Sequence, residues 1–262
     1  MSKTLILIIG IFITFLSTAL GSLCVYFIKG KLHPKVNSSI LGFAAGVMIA
    51  AGVFGLIIPA IEDSASWGNW SFIPITVGVI LGALLLVVMD KLVPHIHKSQ
   101  MMEEGPKNHL SKAKKLFLAV TIHNIPEGLA VGIAFSSAMQ IGTLSAYLSA
   151  LSLAIGIAIQ NFPEGIAIAL PLQEETGSKN KAFVLGSLSA IVEPLFAVVG
   201  LLIANLLSSI MPWMLAFAAG AMIFVTIEDL IPDAKLSSDS HFGSWGFMLG
   251  FIVMMILEIT LG

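Results

Sequence analysis

The chain has no arginine, one cysteine and few charges: only 11% of its 262 residues are charged. Each scarcity excludes something. The lone Cys24 rules out an intrachain disulfide and any thiolate metal cluster. A soluble domain carries charge on about a quarter of its residues, so these residues cannot cover a water-facing surface of this size. The net charge of −2 gives no reason to expect a nucleic-acid partner.

What the chain has in place of charge is apolar length, with 57% hydrophobic residues. A run of about 20 apolar residues crosses a bilayer, and eight such runs can be read. They are Thr4–Ile28, Ile40–Ile61, Phe72–Met89, Leu116–Ala138, Ile141–Leu172, Ala182–Leu207, Pro212–Ile231 and Gly243–Leu261. The first is too long for a signal-peptide core and lacks a small-residue cleavage site, so it reads as a retained span. The runs lack the short alternation of a membrane β-barrel. The expected fold is an all-α, multi-pass membrane protein with a single domain, residues 1–262.

Lysine sets the expected orientation. Lys29, Lys31, Lys35, Lys91, Lys98, Lys107, Lys112, Lys114, Lys115, Lys179, Lys181 and Lys235 fall in or beside loops one, three, five and seven, and only Lys3 falls on the other side. The positive-inside rule places the odd-numbered loops in the cytoplasm and both termini outside. The longest hydrophilic stretch, residues 93–115, is then a cytoplasmic loop carrying lysines and His95, His97 and His109. Its histidines read equally well as a metal-capturing tract and as a solvated loop.

The charges inside the spans are acidic. Glu127, Glu164 and Glu193 sit near the middle of spans four, five and six, with no lysine at that depth. An ionisable group there costs about 2.5–3.5 kcal/mol on insertion scales. Three carboxylates without a basic partner imply an external cation or bound protons. Their context is a repeat. Span four reads His123-Asn124-Ile125-Pro126-Glu127-Gly128 and span five reads Gln160-Asn161-Phe162-Pro163-Glu164-Gly165. Each proline removes a helix hydrogen bond and is expected to kink its helix. His123 and Glu127, like Gln160 and Glu164, are four residues apart and share a helix face. Consecutive spans are antiparallel, so spans four and five are expected to form an inverted pair meeting at the midplane, a known transporter design. One imidazole, carboxylates and amide oxygens suit zinc, iron(II), manganese or cobalt and lack the thiolates that favour copper(I). Glu193, ahead of Pro194, completes this site or forms part of a second beside it.

Other polar residues are less decisive. Glu62 and Asp63, at the outer end of span two, read as a cation-concentrating mouth or as an ordinary solvated loop. Asp90, Glu228 and Asp229 lie near the inner ends of spans three and seven, where an exit path could use them. Glu258 lies close to the outer end of span eight, within reach of the interface. Two other functions compete with metal transport. An intramembrane metal-dependent hydrolase should carry His-Glu-x-x-His, which is absent. A proton-coupled carrier of an organic cation should carry an aromatic box, and aromatics near the motifs are sparse apart from Phe162.

The two hexapeptides, with Glu193 in the next span, resemble the ZIP family of zinc and iron transporters, its bacterial branch above all. The resemblance covers the whole chain. It implies one metal position at His123, Glu127, Gln160 and Glu164 and a second at Asn124, Glu127, Asn161, Glu164 and Glu193. The stretch Gly42–Met48 is similar to the family's span two, which implies that Met48 touches the first metal. Asp90, His95, His97 and Glu228 match positions linked to cytoplasmic release. The sequence departs from many relatives at Gln160, where histidine is common, and at Asn161, where some bacterial members have aspartate. The family implies import toward the cytoplasm through a bacterial plasma membrane, with zinc as substrate rather than prosthetic group and iron, manganese, cobalt and cadmium as related cargo. It also implies an elevator-like motion of spans one, four, five and six against two, three, seven and eight, within a homodimer in contact with lipid.

Overall fold

The structure, a computed structural model, describes residues 2–28, 30, 32–96, 103–106, 109–234 and 240–261. Eight helices in it are long and apolar enough to cross a membrane: Lys3–Tyr26, Pro34–Asp63, Phe72–Leu92, Lys112–Ile141, Leu144–Thr176, Lys179–Leu206, Ser208–Ala234 and Phe242–Leu261. They are spans one to eight below. The only strands among the described residues are a two-residue antiparallel ladder pairing His95 with Glu104 and Ile96 with Glu103. A helical bundle is what such a sequence must form in lipid, where each backbone N–H and C=O needs a partner within the chain.

Spans four and five form the centre. In them 67% and 78% of the most apolar window is buried, against 22% in spans three and eight. Both helices run on through their prolines, Pro126 and Pro163. The connection between them is minimal. Gly142 ends span four at φ 74°, a left-handed conformation that glycine adopts without strain. Thr143 then caps span five through a 3.2 Å bond from Ala146 N. So short a turn keeps the two helices antiparallel neighbours and lays their hexapeptides side by side.

Glycine brings the remaining helices against one another, backbone on backbone. A Cβ at Gly165 of span five would lie 2.2 Å from Thr18 O of span one, and one at Gly128 of span four 2.4 Å from Glu193 O of span six. A Cβ at Gly46 of span two would lie 2.0 Å from Phe247 O of span eight, and one at Gly220 of span seven 2.2 Å from Val79 O of span three. Spans therefore pair as one with five, four with six, two with eight and three with seven.

This pairing follows an inverted repeat that extends beyond the two hexapeptides. Phe43-Ala44-Ala45-Gly46-Val47-Met48-Ile49 of span two matches Phe217-Ala218-Ala219-Gly220-Ala221-Met222-Ile223 of span seven, which runs in the opposite direction. Each stretch leads into a π-helical segment, Ala51–Ile57 and Thr226–Leu230, and then into an Ile-Pro step. The contacts repeat as well. Gly250 of span eight meets Phe43 O, and Gly82 of span three meets Phe217 O.

Candidate metal centre

Span six is where the midplane site is shaped. It divides into Lys179–Ser189 and Val192–Leu206. The break precedes Glu193, which puts that carboxylate in the first turn of the second half, where the helix dipole favours negative charge. Pro194, lacking an N–H, is tolerated in a first turn. The break also leaves helix-end carbonyls in need of donors, and Asn124 Nδ2 donates to one of them, Ser189 O, at 3.2 Å. Gly128 lets the backbone of Glu193 lie directly on span four.

A chain of side-chain hydrogen bonds joins the two hexapeptides to span six. Gln160 Nε2 donates to Glu127 Oε1 at 2.7 Å and to Asn161 Oδ1. Asn161 Nδ2 donates to Glu193 Oε2 at 3.0 Å. Thr18 Oγ1 of span one donates to Glu193 Oε1 at 3.3 Å. Glu127, Gln160, Asn161 and Glu193 are all at most 1% exposed, and Glu164 is 5% exposed beside them. The three carboxylates lie close enough to act on one another electrostatically.

The donors in this chain are used up, while several acceptors are left over. Asn124 Oδ1, Glu127 Oε2 and Gln160 Oε1 are buried without a hydrogen-bond partner. A buried unpaired polar atom costs about 1–3 kcal/mol. All three are oxygens with lone pairs, on adjoining faces of spans four and five, so what they lack is a cation or a proton donor. The described residues contain no ready group of three His, Cys, Asp or Glu side chains placed to hold a metal. The amides explain this, because Gln160 and Asn161 stand between the carboxylates.

The other expected site residues are distributed as follows. His123 turns toward span seven, where its Nε2 lies 2.9 Å from Asp229 Oδ2, both side chains being largely buried. Glu228 is exposed, so Asp229 is the residue of that pair that faces the site. Met48 is 1% exposed and its sulfur accepts from Thr226 Oγ1 of span seven at 3.7 Å. Asp90 is half-buried near the end of span three. His95 belongs to the two-residue ladder, and His97 lies outside the described residues. Glu62 lines a cavity of about 290 Å³ with Gly55, Ser137, Thr143 and Ser149, at the end where the even-numbered loops lie. A second cavity of about 350 Å³, lined by Asn37, Ser38, Glu174 and Asp233, opens at the opposite end. Neither is lined by Glu127, Glu164 or Glu193.

Thr18 was invisible as a site residue, since a threonine in an apolar span carries no signal of its own. Glu258 differs from the expectation. It turns inward instead of reaching the interface and is 8% exposed, beside Ser152 of span five. It follows Gly250 by about two turns, as Asp90 follows Gly82. The repeat therefore gives the two acids equivalent positions at opposite ends of the bundle.

Comparison with known proteins agrees with this architecture. The sequence model of the ZIP Zinc transporter family matches residues 113–258. The chain is 35% identical to the zinc transporter ZIP11 of Homo sapiens, covering 97% of each chain. It is 35% identical to the zinc transporter GufA of Myxococcus xanthus, covering 94% of this chain and 95% of that one. It is 34% identical to the zinc transporter ZupT of Chlorobium chlorochromatii, covering 92% of each. These relatives are transporters and not enzymes, and the chain belongs to the ZIP family of zinc transporters.

Proposed function

We propose that the protein carries a divalent transition-metal ion, zinc first, through the midplane site toward the cytoplasm. The observation that supports this most is the set of unpaired oxygens of Asn124, Glu127 and Gln160 among three buried carboxylates. Zinc takes nitrogen and oxygen ligands, and the ligands on offer are His123, Asn124, Glu127, Gln160, Asn161, Glu164 and Glu193, with Met48 close by. Iron(II), manganese, cobalt and cadmium are secondary cargo on the same chemistry.

The amides give the site two states. The Gln160 NH2 group bridges Glu127 and Asn161. Half a turn of that carboxamide exchanges its nitrogen for its oxygen. The group that donates to Glu127 would then present an oxygen as a ligand. His123 would join the metal through its other ring nitrogen while Asp229 holds Nε2 and orients the ring, and Asp229 with Asp90 lies on the way to the odd-numbered loops. Glu62 gathers cations at the opposite mouth. The lysine distribution supports a cytoplasmic location for the odd-numbered loops and outward termini, and the likeness to bacterial zinc transporters supports a bacterial plasma membrane.

The test is zinc uptake into proteoliposomes. Glu127→Ala and Glu164→Ala should each abolish zinc flux while leaving the purified protein folded. Wild-type flux retained in either variant overturns the reading.

A further inference from the structure

An apolar groove of about 320 Å³ runs down the outside of the bundle where spans two, five and eight meet. Ser39, Ile40, Phe43, Pro163, Phe242, Trp245 and Leu249 line it. None of these is acidic. Glu174 and Asp233 line the separate cavity on the other side of span two. The groove begins at Phe242, the first residue of span eight, and follows that helix for about two turns. Its depth and lining therefore match a lipid acyl chain lying along a span.

Its mouth is cationic. Lys35, at the start of span two, is exposed, and its ammonium sits 5.1 Å from the centre of the Phe242 ring. Ser39 ties the lysine backbone to the groove by donating to Lys35 O at 3.0 Å. The aromatic face holds the ammonium at the groove's end, and a cation over such a face keeps most of its charge for a further partner. Polar headgroups lie at this level of a membrane, and an anionic phosphate there is the complement of Lys35.

We propose that this groove is a site for one anionic phospholipid, with an acyl chain lying against span five and the paired spans two and eight and its phosphate on Lys35. Pro163 forms the groove wall contributed by span five, and the next residue is Glu164. A seated lipid therefore touches the helix that carries the site and the pair of helices it packs against.

Trp245 is 73% exposed and lines the groove, so it can report on the occupant. The experiment places a variant with Trp67, Trp70 and Trp213 changed to Phe in phosphatidylcholine vesicles. Phosphatidylglycerol or phosphatidylcholine brominated on the acyl chain is added as a minor component. Brominated phosphatidylglycerol should quench Trp245 with about five-fold higher apparent affinity, equivalent to about 1 kcal/mol for one lysine near the surface. Lys35→Gln should bring the two lipids level. Equal quenching by both in the parent overturns the proposal, because the groove then takes bulk lipid without selection. Quenching by neither also overturns it, because another copy of the chain then covers the groove. If the triple variant does not fold, native mass spectrometry of the unaltered chain gives the same comparison. Retained phosphatidylglycerol that Lys35→Gln loses supports the site, and no retained lipid overturns it.

Discussion

Gln160 donates through one nitrogen to Glu127 Oε1 and to Asn161 Oδ1, so a single amide ties the two hexapeptides together. His123 is likewise already engaged, by Asp229. A carboxylate that orients a metal-binding histidine is worth about 10–100-fold in metal affinity. Asp229→Asn should therefore raise the KM for zinc uptake about ten-fold, whereas Glu228→Gln, at an exposed position, should leave it unchanged. Initial rates of uptake across a zinc titration distinguish the two. Most of the site could be read from the sequence because His123, Asn124, Glu127 and their partners in span five form a repeated hexapeptide at helical spacing. The choice of Asp229 over Glu228 could not. The π-helical segment Thr226–Leu230 departs from the ordinary helical period, so spacing alone does not tell which of the two acids meets His123.

Among the elements, hydropathy alone located all eight spans, because backbone length in lipid is dictated by bilayer thickness. It did not locate the division of span six. The proline at 194 implies a kink there, but the break falls at Ala190 and Ile191, so that Glu193 begins a new helix. The match between Phe43–Ile49 and Phe217–Ile223 is equally hard to see, since it is written in residues that any apolar span uses. Its meaning lies in the glycines. A Cβ on Gly132 would stand 2.0 Å from Ala197 O, a backbone atom that cannot swing aside, whereas one on Gly52 finds nothing nearer than 3.3 Å, the end of an isoleucine. Gly132→Ala should cost about 1–3 kcal/mol, the usual range for overpacking, and Gly52→Ala much less. Thermal unfolding in detergent, compared between the two variants, checks the difference.

For the whole molecule, the unpaired oxygens at the centre are a reserve of stability that a bound ion would release. A ligand that binds only the folded state adds about 2.7 kcal/mol at 100 times its Kd. Saturating zinc should raise the unfolding temperature of the wild type, and Glu127→Ala should remove the shift. Magnesium, which keeps its waters and prefers all-oxygen sites, should do little.

The glycine contacts have a mechanical consequence. Two helices whose backbones touch have no room to slide or roll past each other without one lifting off, so each of the four pairs behaves as a stiff double plank. Compliance is left for the seams between planks, where contacts run through side chains. His123 and Asp229 meet across one such seam, between spans four and seven. The apolar groove lies along another, between span five and the plank of spans two and eight. Whatever slips in this protein slips there, and those seams are where a lubricant or a wedge would act.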